Sequence, residues 1–481
     1  MRLSELIKDL SITKINFSDT EIESIAFDSR NARDNTLFIA RKGMNSDGND
    51  FIENAVKKGA AAVMTENNKT EAPIPVLISS NIRRDTAIIA RRFYNKPDEH
   101  IHITGITGTN GKTTTSYLLK HILSQEAETG LIGTIRHMIG RRIIEAVNTT
   151  PDPPLIYNLL SEMVKAGCRY CVMEVSSHGL KLDRVYGLDF DSVIFTNLTQ
   201  DHLDFHKTME DYKQSKLKLF SMIKNTGFAV VNADDSHAAD FIDSVSDNPV
   251  YTFGLRNRDA RWTIDIRRIS MAGSKFTLSD REKNLSFEID IKIIGDYNIY
   301  NASAAFITAY YTGIEPDIII RGLADAGNIE GRFEKFRDRR GFYAVVDYAH
   351  TPDALERVLK TVKRLTHGRV ITVFGCGGDR DKSKRPIMGK IATHYSDMTI
   401  ITSDNPRTEN PLNIIQDIES GIKEKNYFIE PNRKKAIKRA IEHAKPEDTV
   451  IVAGKGHETY QIIGSRTVHF DDREEIRRYL K

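Results

Sequence analysis

One pattern repeats along the chain: a short apolar run, a polar or glycine-rich loop, then a helical stretch. Such runs occupy residues 36–40, 61–64, 76–79, 101–104, 171–174, 193–196 and 228–232, and later 344–347, 370–374, 398–402 and 450–453. Helical patterns lie between many of them, as at 353–365 and 435–443. Strands alternating with helices predict an α/β fold, with parallel or mostly parallel sheets covered by helices. Ligands of such sheets bind at the carboxyl ends of the strands, and this chain keeps its unusual polar residues there.

At 481 residues the chain has room for two to four domains, and three blocks suggest themselves. Residues 1–98 read as a small α/β unit closed by the turn Asn95-Lys96-Pro97-Asp98. Residues 99–330 open on a glycine-rich loop and include a strand-rich excursion at 250–294, with alternation such as Trp262-Thr-Ile-Asp-Ile. Residues 331–481 form a third α/β unit beginning Gly331-Arg332-Phe333-Glu334.

Sixty-nine basic residues against 66 acidic ones leave a net charge of +3. That balance argues against a protein that binds nucleic acid through a basic face. The run Arg433-Lys434-Lys435 is read as solvated helix surface. No stretch approaches the ~18 apolar residues of a membrane span, and no apolar signal core follows Met1. Three cysteines are too few for a disulfide framework and fit a reducing compartment. Cys168 and Cys171 lack a second ligand pair and are read as packing residues. The expectation is a cytosolic protein without a nucleic-acid or membrane partner.

Residues 103–115 read Ile-Thr-Gly-Ile-Thr-Gly-Thr-Asn-Gly-Lys-Thr-Thr-Thr. A strand, a glycine turn and a helix opened by Lys112-Thr113 make a triphosphate cradle. Backbone N–H groups hold phosphate oxygens, the lysine adds charge, and the Thr113 hydroxyl suits magnesium. The strict P-loop has glycine where this chain has Ile106, and the glycines fall instead at 105, 108 and 111.

Other strand-end motifs carry chemistry. Glu174 ends an apolar run, where a magnesium ligand is expected beside a phosphate loop. Ser176-Ser177-His178 invites a hydrolase reading, but no Gly-x-Ser-x-Gly elbow surrounds it. His202 and His206 have the spacing of zinc-protease ligands, but Leu203 stands where the catalytic glutamate belongs. His202 fits a magnesium ligand, a substrate-orienting group or a structural histidine. The loop 375–386, with Arg380, Lys382, Lys384 and Arg385, fits an anionic ligand. Pro406 stiffens the turn that presents Arg407 as a fork for a carboxylate. Residues 453–458 form a further glycine loop with charges of both signs.

Taken in order, the motifs resemble the Mur ligases, ATP-dependent amide-forming enzymes of peptidoglycan synthesis. The resemblance rests on Gly108-Thr-Asn-Gly-Lys-Thr113, Glu174-Val-Ser-Ser-His-Gly179 and Asn197-x-x-x-Asp201-His202-x-Asp204. It continues in Gly295-Asp-Tyr-Asn298-x-x-Asn301-x-x-Ala304-Ala305, Gly331-Arg332-Phe-Glu334 and Asp347-Tyr-Ala-His350-x-Pro352, and covers nearly the whole chain. The glycine spacing of the loop is that family's own form. Asp28-Ser29-Arg30, Asn148-Thr149-Thr150-Pro151 and Asp404-Asn-Pro-Arg407 resemble the members that add meso-diaminopimelate as the third residue of the stem peptide.

The resemblance implies three α/β domains, the central one P-loop NTPase-like with a mostly parallel sheet, the C-terminal one Rossmann-like. It implies that Gly108, Thr109, Asn110, Gly111, Lys112, Thr113 and Thr114 bind ATP phosphates, and that Asn301, Arg332 and Asp347 touch the nucleotide. Lys112, Glu174, His202 and Lys216 match catalytic positions. Thr113, Glu174, His202 and Lys216 as a carbamate match magnesium ligands. Ser29, Asn148, Thr149, Thr150, Ser176 and Arg184 match positions touching UDP-N-acetylmuramoyl-L-alanyl-D-glutamate. Arg380, Asp404, Asn405, Pro406, Arg407, Gly454 and Glu458 match the diaminopimelate site. A monomer is expected.

The chain departs from the family at Leu182, where some members have glutamine, and at Met44-Asn45-Ser46. The implied reaction is acyl-phosphate formation from the D-glutamyl carboxylate and ATP, then attack by an amine of diaminopimelate. A folate polyglutamate ligase is the alternative enzyme, opposed by residues 1–98 and 404–407. A nucleotide-switched binding protein is the alternative outside enzymes, opposed by Glu174, His202 and Lys216.

Overall fold

The apolar runs become strands buried at every position: Thr36–Ala40, Tyr170–Glu174, Val370–Phe374 and Thr449–Ala453. Burial on both faces is what parallel strands under helices require. The computed structural model describes residues 1–43 and 46–481. Met44 and Asn45, part of the departure noted above, lie outside the described residues. The chain forms two compact units. The first comprises residues 1–105, 127–192 and 221–227, the second residues 106–126, 193–220 and 228–481.

In the first unit a five-stranded sheet runs in the order Ile12–Ile15, Val76–Ser79, Ala60–Thr65, Thr36–Ala40, Ser24–Ala26. Its first pair is antiparallel and the others parallel. Successive side chains of a strand point to opposite faces. Thus Leu37, Ile39 and Met64 pack with Ile82 and Ile89 of the helix Ile82–Phe93. Phe38 and Val63 pack on the other side with Ile52 and Ala55. Elsewhere in this unit Tyr170–Glu174 lies parallel to Thr129–Ile132. A hairpin, Arg136–Ile139 with Arg142–Glu145, extends from Thr129–Ile132.

In the second unit the excursion at 250–294 is sheet. Val250–Gly254 and Trp262–Ser270 are parallel neighbours, and Gly273–Asp280 and Leu285–Ile291 follow antiparallel. The helix Lys112–Leu123 packs on Asp296–Tyr311 and Pro316–Asp325. A six-stranded sheet takes the order Glu334–Arg337, Tyr343–Asp347, Thr449–Ala453, Val370–Phe374, Met398–Ile401, Tyr427–Ile429. Only its first pair is antiparallel. Leu355, Leu359, Met388 and Ile415 cover one face, and Ala436, Ile437, Ile441 and Ile476 cover the other. This is the doubly wound arrangement expected of the C-terminal part.

One expectation fails here. Lys434 and Lys435 are exposed, but Arg433 is only 2% exposed. Its guanidinium bonds both carboxylate oxygens of buried Asp472, each at 2.7 Å, and the Ala453 carbonyl at 3.0 Å. The run is a helix start whose first residue faces inward. Removing one partner of a buried pair leaves an uncompensated charge and costs about 3–5 kcal/mol. Asp472→Ala is therefore expected to lower the urea-unfolding free energy by about that amount. A loss within the ordinary range of surface substitutions would show that Arg433 does not depend on Asp472.

Candidate active site

The strand His102–Thr107 runs straight through Ile106, whose side chain is fully buried. That is why the position needs no glycine: the turn begins only at Gly108. A Cβ on Gly108 would sit 1.9 Å from Thr196 Oγ1, and one on Gly111 would sit 2.3 Å from Asn301 Oδ1. Gly111 also caps the helix Lys112–Leu123 at φ 90°, a left-handed conformation that suits glycine. Thr109 N donates to Asn197 O at 2.8 Å, and Asn110 N to Asn197 Oδ1 at 3.0 Å. Asn110 Nδ2 reaches Asp353 Oδ2 at 3.0 Å, in the first turn of the helix Pro352–Leu365. Thr113 and Thr114 are buried in the first turn behind the loop.

Two lysines meet at this loop. Lys112 Nζ donates to Gly108 O at 2.8 Å and Thr109 O at 2.9 Å. Lys216 Nζ donates to the same Gly108 O at 2.8 Å and stands 4.5 Å from the centre of the Tyr212 ring. Lys216 is 1% exposed. Burial, helped by the charge on Lys112, drives its pKa well below the usual lysine range, with Asp201 opposing. Burial of this kind disfavours the charged ammonium.

Around the loop stand the residues expected to touch the nucleotide. Asn301 Oδ1 accepts from Thr115 Oγ1 at 3.3 Å, and Asn301 Nδ2 donates to Asn298 Oδ1 at 3.1 Å. Arg332 Nη2 donates to Thr113 Oγ1 at 3.2 Å, and its guanidinium lies 4.5 Å from the centre of the Tyr348 ring. Asp347 accepts from the backbone of Phe333 at 2.7 Å and of Ala349 at 2.8 Å. Burial raises its pKa, against the pull of Arg332.

His202 sits at φ 55°, 3.4 Å from Asp201 Oδ2, and His350 reaches that same oxygen at 3.9 Å. Burial alone would raise the pKa of Asp201. His202, His350 and Lys384 outweigh it and hold the pKa at about 2. His350 is itself pushed down, by burial first and by Lys384 next. His206, by contrast, is buried against Ser215 and Asp211, which makes it structural.

The residues expected to meet the amino acid also lie together within the second unit. Asn405 Nδ2 donates to Glu458 Oε2 at 2.9 Å, and Lys455 Nζ donates to Asn405 Oδ1 at 3.1 Å and Glu458 Oε2 at 3.0 Å. Gly454 approaches Asp404 so closely that a Cβ would lie 3.0 Å from Asp404 Oδ2. Pro406 is buried, and Arg407 follows at φ 52°, its Nη1 donating to Gly378 O at 2.8 Å. A Cβ on Gly377 would meet Arg407 Nη1 at 3.0 Å and Arg380 Cγ at 3.9 Å, so the two arginines flank one glycine. Burial lifts the pKa of Glu458, and the charge of Asp404 adds to that.

The 375–386 loop offers fewer free cations than its composition promised. Arg385 is fully buried and bonded to Glu409 and Asp417. Lys382 pairs with Glu409, and Lys384 is buried. Arg380 is exposed. Lys455, Asp201 and His350 had not been singled out as site residues. The strand-end glycine loop around Lys455 and the Asp-Tyr-Ala-His motif were the available signals.

In the first unit the buried Glu174 carboxylate accepts from Thr134 N at 2.9 Å and Thr134 Oγ1 at 2.8 Å. Thr134 Oγ1 also lies 3.0 Å from Thr149 Oγ1. Thr150 Oγ1 bonds Glu174 O and Ser176 at 2.9–3.0 Å, and Arg184 Nη1 donates to Thr150 O at 2.8 Å. Asn148 is exposed, and Ser29 is buried in a short 3-10 turn capped by Asp28. These side chains form one connected set, Ser29 and Asn148 excepted. Cys168 and Cys171 are buried in packing. Among the described residues no group of three or more His, Cys, Asp or Glu side chains is placed to hold a metal.

Three family models match the chain in order: Mur ligase family, catalytic domain, over residues 21–95, Mur ligase middle domain over 106–309, and Mur ligase, glutamate ligase domain, over 331–456. The chain belongs to the Mur ligase family, with its α/β fold of N-terminal, central and C-terminal domains and mostly parallel sheets. It is 43% identical to the UDP-N-acetylmuramoyl-L-alanyl-D-glutamate–2,6-diaminopimelate ligase of Clostridium tetani, over 100% of this chain and 99% of that one. A solved structure of a ligase of the same name is 33% identical, with a TM-score of 0.69 over 100% of this chain and 98% of that one. The MurF ligase from Thermotoga maritima in complex with ADP shares the fold at 18% identity and a TM-score of 0.67, over 95% of this chain and 96% of that one. No helix among the described residues is long and apolar enough to cross a membrane.

Asp201 supplies a pH test of the loop's surroundings. Its pKa is lowered on folding to about 2 from an ordinary value of about 3.9. The stability it contributes is complete above the higher value and is lost as pH falls towards the lower one. Asp201→Asn is expected to flatten the acid limb of the unfolding free energy between pH about 4 and about 2. An unaltered limb in chemical-denaturation curves would contradict the pairing with His202 and His350.

Proposed function

We propose that this chain is an ATP-dependent amide ligase that adds meso-diaminopimelate to UDP-N-acetylmuramoyl-L-alanyl-D-glutamate in peptidoglycan precursor synthesis, and so serves cell-wall growth, shape and division. The observation that carries the reading is the charge pattern around Asn405. Arg407 offers a guanidinium fork, while Asp404 and Glu458 lie beside it. The far end of diaminopimelate is an ammonium and a carboxylate on one carbon. Arg407 suits its carboxylate and the two acids suit its ammonium. Lysine lacks that carboxylate and would leave the fork without its partner, a mismatch that sites of this kind reject by orders of magnitude.

We assign residues 1–98 to the UDP substrate, 99–330 to ATP and 331–481 to the amino acid. Ser29, Asn148, Thr149, Thr150, Ser176 and Arg184 contact the UDP-muramoyl dipeptide. Arg380, Asp404, Asn405, Pro406, Arg407, Gly454 and Glu458 contact diaminopimelate. Gly108 to Thr114, with Asn301, Arg332 and Asp347, contact ATP. Thr113, Glu174, His202 and Lys216 as its carbamate are the residues that would hold magnesium. They fit a hard cation: a hydroxyl, a buried carboxylate and a carbamate oxygen are donors of the kind it takes, with phosphate and water completing the shell. Bound there, magnesium would neutralise phosphate charge during transfer.

The D-glutamyl γ-carboxylate attacks the γ-phosphorus of ATP, the bond to the bridging oxygen breaks, and ADP leaves. Lys112 shifts from the Gly108 and Thr109 carbonyls to the phosphate oxygens. An amine of diaminopimelate then attacks the acyl carbon, phosphate leaves, and the nitrogen gives up a proton. A cytoplasmic monomer suits soluble substrates of this kind.

ADP release measured with the UDP-muramoyl dipeptide and either diaminopimelate, lysine or no amino acid tests the reading. Release that needs diaminopimelate supports it, and release needing no amino acid marks an NTPase instead. Arg407→Ala is expected to lose diaminopimelate use by at least about a hundred-fold while ATP binding is retained; equal loss of both would contradict its role. Lys216→Ala is expected to be nearly inactive and partly rescued by short carboxylates. A folded Lys216→Ala protein that no carboxylate rescues counts against the carbamate.

A further inference from the structure

The hairpin of Tyr460–Ile463 with Arg466–His469 forms a two-stranded sheet of its own, with Tyr460 opposite His469 and Ile463 opposite Arg466. Its second strand is exposed at every position, and Tyr460, Ile463 and Val468 are exposed as well. A lone two-stranded hairpin is marginal in water, and these side chains give it no core of its own. Its order comes from the loop it lies on. Gln461 Nε2 donates to Asp404 O at 2.6 Å, and Ile462 N to Asn405 Oδ1 at 3.0 Å. Arg407 N donates to Ile462 O at 3.1 Å, and Gly464 N to Arg407 O at 2.7 Å. The first strand therefore runs beside residues 404–407, and Ile463 forms a parallel bridge with Arg407. At the base Phe470 N donates to Thr459 O at 3.0 Å, and the centre of the Tyr460 ring lies 5.5 Å from Lys455 Nζ.

The loop gains support for a strained residue. Arg407 sits at φ 52°. Left-handed backbone is costly for any residue with a Cβ and persists only where the surroundings over-determine it. Here the hairpin takes both backbone polar groups of Arg407, the N–H at Ile462 and the carbonyl at Gly464. Backbone conformation sets the direction of the Cβ, and so where the guanidinium can reach. In this conformation Nη1 rests on Gly378 O at 2.8 Å and Asn405 O at 3.4 Å. Nε and Nη2 make no hydrogen bond among the described residues. If Arg407 relaxed to an ordinary backbone conformation, that edge of the fork would turn away.

We propose that the strand Tyr460–Ile463 is a specificity device for the amino-acid substrate. It clamps residues 404–407 so that Arg407 keeps its left-handed backbone and presents the remaining edge of its guanidinium to the far carboxylate, and Gln461 is the positioning side chain of the clamp. The inference rests on diaminopimelate being the substrate and Arg407 the residue that reads it. Gln461 spends its amide N–H on the Asp404 carbonyl and acts through the main chain of the loop. Ile462 and Gly464 hold the same loop through their own backbone. The hairpin thus fixes the reader of the substrate and leaves the nucleotide loop at 108–114 alone.

ADP release by the full-length protein with the UDP-muramoyl dipeptide and diaminopimelate tests this. Gln461→Met keeps the length of the side chain and removes the donor. It is expected to raise the KM for diaminopimelate by about five- to ten-fold and to leave the KM for ATP and for the dipeptide unchanged. In an Arg407→Ala background the same change is expected to alter kcat/KM for diaminopimelate by less than about two-fold, because the fork it positions is gone. Gly464→Ala is an independent check. Its Cβ enters open space at φ 58°, so it strains only the turn of the hairpin, and it is expected to raise the same KM. An unchanged diaminopimelate KM, a KM for ATP that rises along with it, or an effect that persists in the Arg407→Ala background would overturn the proposal. Thermal unfolding reports whether each variant is folded, and the same pair of measurements with Gly464→Ala decides the matter if Gln461→Met is not. Wild-type ADP release that needs no diaminopimelate would bring down the functional reading as well. A diaminopimelate-dependent wild type with indifferent variants would sink this inference alone.

Discussion

The carbonyl of Gly108 is the point on which the rest of the second unit's site depends. It accepts from Lys112 and from Lys216, each at 2.8 Å. Two ammonium groups cannot both stay charged on one buried oxygen without a large electrostatic cost. At the deeper one, Lys216, burial first and the Lys112 charge next lower the pKa. The loop takes this shape because Gly108 and Gly111 leave room for Thr196 and Asn301. Asn301 and Arg332 then lie against the helix that carries Lys112.

Charges in this protein fall into two kinds. Arg433 with Asp472, and Arg385 with Glu409 and Asp417, are closed on carboxylates: buried and doubly bonded, with Arg433 Nη1 and Arg385 Nε left over. They hold a helix to a helix or a loop, and removing one partner harms folding before it harms chemistry. Arg332 and Arg407 are open. Neither Arg332 nor Arg407 pairs with a carboxylate among the described residues: Arg332 bonds the Thr113 hydroxyl and Arg407 spends Nη1 on backbone oxygens. Charges left open in a folded protein are those a ligand can complete. On this reading the anionic substrates are part of what finishes the electrostatics of the site.

Strand-end chemistry follows from the sheet class. Asp347, Glu174 and the Gly375 and Gly454 loops lie where buried parallel strands stop and the backbone turns polar. The strands themselves are covered on both faces and have no room for such groups. Asp201 and its two histidines follow the same logic, since Asp201 comes soon after the strand Phe190–Phe195.

The sequence by itself determined the α/β class, the strand-rich excursion and the glycine loop that opens a helix at Lys112. These are short-range signals: apolar runs of four or five residues, glycines at turns, charged motifs at strand ends. What it could not decide was which charges close on one another. Arg433 read as surface because its neighbours are lysines, and its partner lies far along the chain. Arg385 counted as ligand-facing for the same reason. Arg41 drew no attention at all, because only the fold brings Asp152 to it. Tertiary structure decided these cases because an ion pair depends on distance in space, and spacing along a chain carries no record of it beyond a turn or two of helix.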